Sequence, residues 1–134
     1  MAENYFGGDL LELKVEHPTL GSKTLEPKAN EDSEFDAGGI RINDDDSHIT
    51  GSGNIILSGT RVRPYLQVTV ATNEEINVFL REWAGSATLA TITYTHINGD
   101  VFRGMAIPVG DIKPSNQNAT VQVKLAGSGT FVKI

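Results

Sequence analysis

Residues 64–107 read PYLQVTVATNEEINVFLREWAGSATLATITYTHINGDVFRGMAI. The first residues after the proline alternate between apolar and polar, which is the period of a half-buried strand. Thr72 or Asn73 then offers a side-chain oxygen to the free N–H groups at the start of a helix. The apolar positions of this helix recur at helical spacing; they are Ile76, Phe79, Leu80 and Trp83. This stretch therefore predicts a strand followed by an amphipathic helix.

The second half of the stretch predicts a β-hairpin. Gly85 is expected to end the helix, because glycine adopts the left-handed conformation at helix ends without strain. A Thr-rich strand is predicted over residues 87–97 and a returning strand over residues 101–109. Between them, Asn98-Gly99 predicts a two-residue turn, because both residues tolerate positive φ.

The rest of the chain adds further strands. Residues 10–16 alternate, which predicts that Leu11, Leu13 and Val15 point inward, and residues 54–60 predict a short buried strand. Residues 119–126 alternate again before a bend at 127–129. The economical fold is mainly β, a small antiparallel β-sandwich or barrel with one α-helix packed on its side, forming a single domain over residues 1–134.

Residues 22–53 are the poorest in apolar side chains and are predicted to form a long polar loop. A loop of about 30 residues exceeds the usual connection inside a compact domain and is typically functional or disordered. Phe35, Ile40 and Ile42 are its apolar anchors, and Arg41 lies between the two isoleucines. We interpret these four residues as candidate contacts with a neighbouring subunit, mobile in the free chain and ordered on assembly.

Charge and composition exclude several classes of protein. Residues 1–50 hold 12 acidic and 4 basic residues, a net charge of −8, whereas residues 51–134 hold 5 and 7, a net charge of +2. The acidic half argues against a protein that coats DNA. The chain has no cysteine, which excludes disulfides and cysteine-ligated zinc and suits a reducing cytoplasm. No apolar run reaches membrane length, and the N-terminus does not resemble a signal peptide.

No catalytic or cofactor signature is found in the sequence. Residues 43–48, NDDDSH, are the one metal-like cluster, but their spacing does not fit the calcium loop, and we interpret them as a solvated acidic turn. The three histidines form no metal-binding pair, and neither a nucleophile elbow nor a phosphate-binding loop is present. We therefore expect no enzymatic activity, no metal and no cofactor.

Three arginines lie on or beside strands of the apolar unit: Arg61, Arg63 and Arg103. Arg103 shares a predicted strand face with Val101, Met105 and Ile107, where an unpaired guanidinium is costly. We expect it to find a carboxylate in this chain or a neighbouring one. These arginines are further candidates for contacts between subunits.

The pattern of elements resembles the tail tube proteins of contractile-tailed bacteriophages, the Mu-like ones in particular. The resemblance covers roughly residues 60–134. It rests on Pro64-Tyr65-Leu66, a helix ending near Trp83, a Thr-rich strand with Asn98-Gly99, Arg103-Gly104 on the next strand, and the closing ATVQVKLAG from Ala119.

This resemblance implies hexameric rings of the chain, stacked into a tube around a channel through which DNA passes without specific binding. It implies sheath, baseplate and tape-measure proteins as partners, and a virion tail as the location of a protein made in the host bacterial cytoplasm. We expect a channel wall that is acidic or neutral, because a basic wall would hold the phosphates of passing DNA. The wall candidates are Glu12, Glu16 and Asp100, with Lys14, Arg103 and Lys124 facing partners or the outside.

Three alternatives remain open at this point. The first is a tube or baseplate protein of a related contractile injection or secretion system. The second is a carbohydrate- or peptide-binding β module, and the third is a small hydrolase with a dispersed site.

Overall fold

A computed structural model describes residues 7–44 and 47–134, and within these ranges the chain forms eleven strands and one helix. The strands are β1 (Leu10–His17), β2 (Gly21–Leu25), β3 (Glu34–Asp36), β4 (Gly39–Ile42), β5 (His48–Ile49), β6 (Ile55–Ile56), β7 (Gly59–Val62), β8 (Tyr65–Ala71), β9 (Ala90–His96), β10 (Val101–Pro108) and β11 (Thr120–Lys133). The helix α1 spans Glu74–Ser86, between β8 and β9. The predicted mainly β fold with one helix is confirmed, although the strands outnumber the six that the apolar runs suggest.

Seven strands form one antiparallel sheet in the order β2-β1-β9-β10-β11-β8-β3, and this sheet closes into a barrel. β2 pairs with β1, and the residues that follow β2 pair with β8 on the edge that β11 leaves free. Lys28 N donates to Thr69 O at 2.9 Å, and Ala71 N donates to Glu26 O at 2.8 Å. β3 continues along the same edge of β8. Residues 21–36 therefore join the two ends of the sheet.

The barrel interior is filled by alternate residues of its strands and by α1. The buried apolar side chains are Leu13, Val15, Leu25, Leu66, Val68, Val70, Phe79, Leu80, Trp83, Ala90, Ile92, Tyr94, Ala106, Val121, Val123, Leu125 and Phe131. Gly104 faces Phe131, and a Cβ atom on Gly104 would lie 2.2 Å from the phenyl ring. The ring thus fills the space that the glycine leaves on β10.

The predicted start and apolar stripe of α1 are confirmed. Asn73 caps the helix, accepting a hydrogen bond at Oδ1 from Ile76 N at 2.9 Å. The predicted end at Gly85 is wrong, because the helix continues to Ser86 and Ala87 takes the left-handed conformation with φ 53°. The Ser86 hydroxyl donates to Trp83 O at 2.7 Å, so a side chain supplies a bond in the last turn.

α1 lies near the barrel end where β1 finishes. His17 Nε2 and Ser86 Oγ are 3.3 Å apart, and Lys23 on β2 forms an ion pair with Glu75 in the first turn of the helix. We call this the helix end of the barrel. The opposite end, where β1, β8 and β10 begin and β9 finishes, we call the mouth.

Three local predictions are wrong for identifiable reasons. The hairpin at Asn98 has a three-residue loop, in which Gly99 N donates to His96 O at 2.9 Å and, of the loop residues, only Gly99 has positive φ. Leu11 is 55% exposed, because the register between β1 and β9 shifts there. Residues 55–57 are exposed as well, because their strand belongs to a ribbon outside the barrel.

We predict that Trp83→Ala lowers the free energy of unfolding by about 3–5 kcal/mol, the usual cost of removing a buried aromatic side chain. Trp83 has no exposed surface, and its Nε1 donates to Thr88 O at 3.2 Å. Urea unfolding followed by circular dichroism measures the change. Val78→Ala on the same helix is the control, since Val78 is 48% exposed. A loss below about 1 kcal/mol for Trp83→Ala would place the indole outside the core.

We also predict that Gly85→Ala and Ala87→Gly each stabilise the protein. Gly85 lies inside the helix, and a Cβ atom added there would meet nothing within 4 Å, so alanine should gain roughly 0.5–1 kcal/mol in helix propensity. Ala87 has φ 53°, a conformation that glycine adopts without strain. Thermal unfolding of both variants checks the helix end, and a destabilised Gly85→Ala would mean that the helix stops where the sequence pattern predicts.

Candidate functional site

Residues 39–62 leave the barrel as a two-stranded arm. β4 pairs with β7 at its root, and β5 pairs with β6 towards its tip. At the tip, Thr50 N donates to Asn54 O at 2.7 Å, and Gly53 has φ 95°. The shorter side of the ribbon, residues 54–62, contains nine residues, so the arm extends at most roughly 30 Å.

The predicted long polar loop is therefore not a loop in this structure. Residues 22–53 contain most of β2 and all of β3, β4 and β5. Local patterns do not indicate β3 and β4, because their pairing partners, β8 and β7, lie much further along the chain. Within the segment, Leu25 is fully buried.

The arm concentrates exposed aliphatic surface. Of twelve large apolar side chains that are exposed in the described residues, six belong to it: Ile40, Ile42, Ile49, Ile55, Ile56 and Leu57. Each is between 51% and 71% exposed. A two-stranded ribbon is marginally stable in water by itself, and contiguous exposed apolar surface marks an interaction site. The arm therefore has the properties of a docking element.

At its root the arm has two different faces. Directly opposed residues of an antiparallel pair share a face, and Ile40 lies opposite Arg61 while Ile42 lies opposite Gly59. A Cβ atom on Gly59 would lie 3.1 Å from Ile40 Cγ2, so the isoleucine covers the glycine. We call Ile40, Ile42 and Arg61 the arm face. The other face is polar, and there Asn43 Nδ2 donates to Thr60 Oγ1 at 2.7 Å.

Asp36 fixes the direction of the arm. Its Oδ1 accepts a hydrogen bond from Gly38 N at 2.9 Å and forms an ion pair with Arg41. The Gly38 N–H, and then the Arg41 guanidinium, hold the pKa of the Asp36 carboxyl below its usual value. Gly38 has φ 84°, and a Cβ atom there would lie 2.9 Å from Pro64 N. The root is thus tightly packed against the barrel.

The predicted interface residues are placed in three different environments. Ile40, Ile42 and Arg61 share the arm face, and Arg63 is exposed just beyond β7. Phe35 instead packs inside its own chain, with its ring centroid 4.7 Å from that of Tyr94. The sequence does not indicate this packing, because Phe35 stands between two charged residues and a strand of three residues is too short to show a periodic pattern.

Arg103 lies on the exposed outer face of β10 and donates from Nε to Thr93 Oγ1 at 3.3 Å. Val101, Met105 and Ile107 share this face, as the alternation predicts, but Met105 is 45% exposed there. The expectation of a costly buried guanidinium is therefore wrong. Among the described residues Arg103 has no carboxylate partner within ion-pair distance, and a carboxylate from a neighbouring chain stays a prediction.

The outer face of β1 and β9 is polar, and together with Arg103 of β10 it is balanced in charge. Glu12, Lys14 and Glu16 lie opposite Thr95, Thr93 and Thr91 on β9. Arg103 lies opposite Thr93 on its other side, and Lys14 is 3.4 Å from Glu16. The predicted separation of Glu12 and Glu16 from Lys14 and Arg103 is therefore wrong. All four share one sheet face, which we call the threonine face.

Asp100 lies apart from the threonine face. It stands at the mouth, where Oδ1 is 2.9 Å from Lys133 Nζ and Oδ2 accepts from Asn98 Nδ2 at 3.2 Å. The bond to Lys133 is the main cause of the lowered pKa of the Asp100 carboxyl. The three predicted wall residues thus do not form one surface.

The sequence interpretation misses two features. The first is the outer part of the arm, where Ile49 and Ile55 flank the tip; two short apolar runs on either side of Gly51-Ser52-Gly53 are a hairpin signal. The second is the mouth itself, which is lined by side chains from five strands. No local sequence pattern brings those strands together.

The described residues contain no cluster of three or more histidine, aspartate or glutamate side chains positioned to hold a metal ion. Asp45 and Asp46 of the acidic cluster lie outside the described residues. In the part of the chain that the structure describes, no helix is long and apolar enough to cross a membrane.

No protein-family model matches the chain, and a search of curated proteins finds no significant match.

We predict that Lys133→Met raises the pKa of the Asp100 carboxyl towards its ordinary value of 3.8. Because the pKa is lowered in the folded state, the ion pair stabilises the protein above the ordinary pKa and the stabilisation is lost as the pH falls through the folded value. An NMR titration of the side-chain carboxyl measures the shift. The control is Lys113→Met, which removes the partner of the exposed Asp111. Equal titration curves of the Asp100 carboxyl in the two variants would contradict the ion pair between Asp100 and Lys133.

Proposed function

We propose that this protein is the repeating subunit of a tube of the phage-tail type, in which copies form stacked hexameric rings. The same architecture serves virus tails and related contractile injection devices. The proposal rests on the succession of strands and helix along the chain and on one structural observation, the projecting apolar arm. The role is structural, so no catalysis is expected.

The arm supports assembly with other copies of the chain. Fully burying an isoleucine or leucine side chain contributes about 1.5–3 kcal/mol. Six half-exposed side chains therefore supply on the order of 5–10 kcal/mol when they are covered. Association of two proteins costs roughly 4–15 kcal/mol in lost freedom of motion. One arm contact is thus weak, and a ring in which every copy gives and receives an arm is far stronger.

The barrel also supports assembly through the arm, because it leaves few strand edges free for association. Exposed strand edges are a common route to association. In this chain both edges of β8 are paired, one with β11 and the other with β3 and residues 26–28. The edges of β8 are therefore used up within the barrel, and the arm, whose sheets have only two strands, remains the main surface for self-assembly.

The threonine face suits the wall of a channel for DNA. A lysine or arginine that neutralises a phosphate releases a counterion and binds. On the threonine face the two basic side chains of Lys14 and Arg103 are matched by the two carboxylates of Glu12 and Glu16. Hydroxyl groups and balanced charges leave no net attraction for phosphates, so DNA would slide past. A tube map in which this face points outward would contradict its role in the wall.

The arm is tested by shortening it. In one variant Asn-Gly replaces residues 43–58, so that Ile42 and Gly59, already paired, flank a tight turn. We expect a folded monomer at concentrations where the full chain forms rings or tubes by negative-stain microscopy and sedimentation. The barrel does not include these residues, so its thermal unfolding should be unchanged.

A matched pair of double variants separates the arm from general surface hydrophobicity. Ile49→Ser with Ile55→Ser removes an opposed pair on the arm. Leu11→Ser with Val78→Ser removes two comparably exposed side chains elsewhere. We expect the first double variant to stay monomeric and the second to assemble. Normal tubes from the shortened variant would refute the role of the arm.

A further inference from the structure

The mouth of the barrel holds a cavity of about 240 Å³. Its aromatic side is made by Tyr94 and Phe102, whose rings stack with centroids 5.2 Å apart, and by Phe35, which meets both. Its rim carries Asp32 and Asp100. The remaining lining residues are Gly8, Leu10, Glu31, Ser33, Leu66, His96 and Asn98.

The cavity exists because the barrel wall opens at the mouth. β2 pairs with β1 from Leu13 onward, so within the described ranges no strand lies beside the first residues of β1 on that side. Residues 29–33 leave the wall before β3 begins, and Asn30 adopts φ 60° with its N–H bonded to Asp9 Oδ1 at 3.0 Å. This detour leaves a gap between β1 and β3, and the gap is the entrance.

The hydroxyl group of Tyr94 is open to the cavity and free to bond a ligand there. Tyr94 is 4% exposed, yet no described residue forms a hydrogen bond with its hydroxyl. No fully enclosed side-chain nitrogen or oxygen lacks a partner in the described residues, so this hydroxyl reaches the cavity. Burial and the negative charge of Asp100 both raise the pKa of the Tyr94 phenol. The group is therefore a neutral donor or acceptor in a field that favours cations.

The rim keeps one carboxylate free for a ligand. Glu31 is paired with Lys28 at 2.8 Å, and Asp100 with Lys133 at 2.9 Å. Asp32 has no such cationic partner among the described residues. A cation above stacked aromatic rings and beside a carboxylate gains both a cation–π interaction and a charge-assisted hydrogen bond. The volume lies below the roughly 300–1,000 Å³ of usual small-molecule sites, which fits one side chain better than a free metabolite.

Arg61 has the chemistry and position that this cavity requires. It is exposed and, among the described residues, takes part in no ion pair or side-chain hydrogen bond. On the arm face it stands directly opposite Ile40, so an aliphatic side chain flanks the guanidinium. Arginine beside apolar side chains is the usual composition of an interface anchor.

The positions of the two surfaces are compatible with a ring. The arm root follows β3 and precedes β8 at the mouth, so both surfaces lie at the same end of the barrel. They are different patches, and a contact between them is heterologous. Rotation about an axis parallel to the barrel brings the arm root of one copy to the mouth of the next without a shift along the axis. Repeated contacts of this kind close into a ring.

We propose that the mouth cavity is a binding site for the Arg61 guanidinium of a second copy of the chain, stacked on Tyr94 and Phe102 and held by Asp32. The contact deepens the proposed function, on which it rests, by naming an anchor between neighbours. It also explains an aromatic cavity with an acidic rim at one end of an otherwise filled barrel.

The cavity is tested first on the monomer, without assembly. N-ethylguanidinium is titrated into the full-chain protein at a concentration where it is monomeric, with neutral N-ethylurea as the control ligand. We expect NMR shifts at Tyr94 and Phe102 for the cation alone, and about tenfold weaker binding in Asp32→Asn, the loss expected for one charge-assisted hydrogen bond. Equal shifts with both ligands, or none at the mouth, would overturn the assignment.

The contact between copies is tested by matched arginine variants. Arg61→Gln should raise the concentration needed for ring formation about tenfold or more. Arg81→Gln removes the same charge from the exposed surface of α1, away from the arm, and should assemble like the parent. The charge exchange Asp32→Arg with Arg61→Asp should restore much of the assembly that either single change removes. Normal assembly of Arg61→Gln would overturn the contact.

The two proposals fail in distinguishable ways. Tubes that form equally well in Arg61→Gln refute the anchor and leave the tube function standing. A parent protein that forms no rings or tubes refutes the tube function, while the guanidinium titration still decides what the cavity binds.

Discussion

Two hydrogen bonds between residues 26–28 and the end of β8 hold the barrel closed, and the other features of the molecule follow from that closure. Without them only β3 would cover that edge of β8, and the sheet would remain open between β2 and the end of β8. Because β2 and β3 are parts of one stretch that changes partner from β1 to β8, the chain must detour at residues 29–33. The detour opens the mouth, and Phe35 returns across it onto Tyr94 and Phe102. The arm begins immediately afterwards, at the root that Asp36 fixes.

Local physics makes much of this fold predictable. The alternation of β8 and β11, the Asn73 cap and the apolar stripe of α1 are each encoded within a few neighbouring residues, and the structure confirms them. What β3 and β4 pair with is encoded far from them, in β8 and β7. Strand pairing across more than about ten residues leaves no mark on the periodicity of a short strand, so a polar segment with few apolar residues has the pattern of a loop.

The candidate site also divides into features that the sequence predicts and features that it does not. The sequence predicts that Ile40, Ile42 and Arg61 contact a neighbour, and they do lie together on an exposed face. It predicts that Ile55 and Ile56 are buried, although they belong to the same arm. An apolar run has the same sequence pattern whether it faces its own core or another subunit. The error for Phe35 is the reverse, a predicted exposed residue that packs inside. Its charged neighbours on β3 suggest an exposed segment.

In the proposed ring, affinity and specificity fall to different parts of the arm. Its aliphatic side chains supply non-directional burial, which would favour any apolar surface and, in an unpaired subunit, aggregation. Charge supplies the specificity that apolar burial lacks. The net charge of −8 on residues 1–50 makes free subunits repel each other, and a lone arginine on the arm face is attracted to the acidic mouth rather than to other arms. Two arms therefore repel each other, whereas an arm and a mouth attract each other. Under this condition a heterologous contact prevails over a symmetric dimer. The fixed root adds to this selection, since an arm held in one direction by Asp36 and Gly38 loses little freedom when it docks.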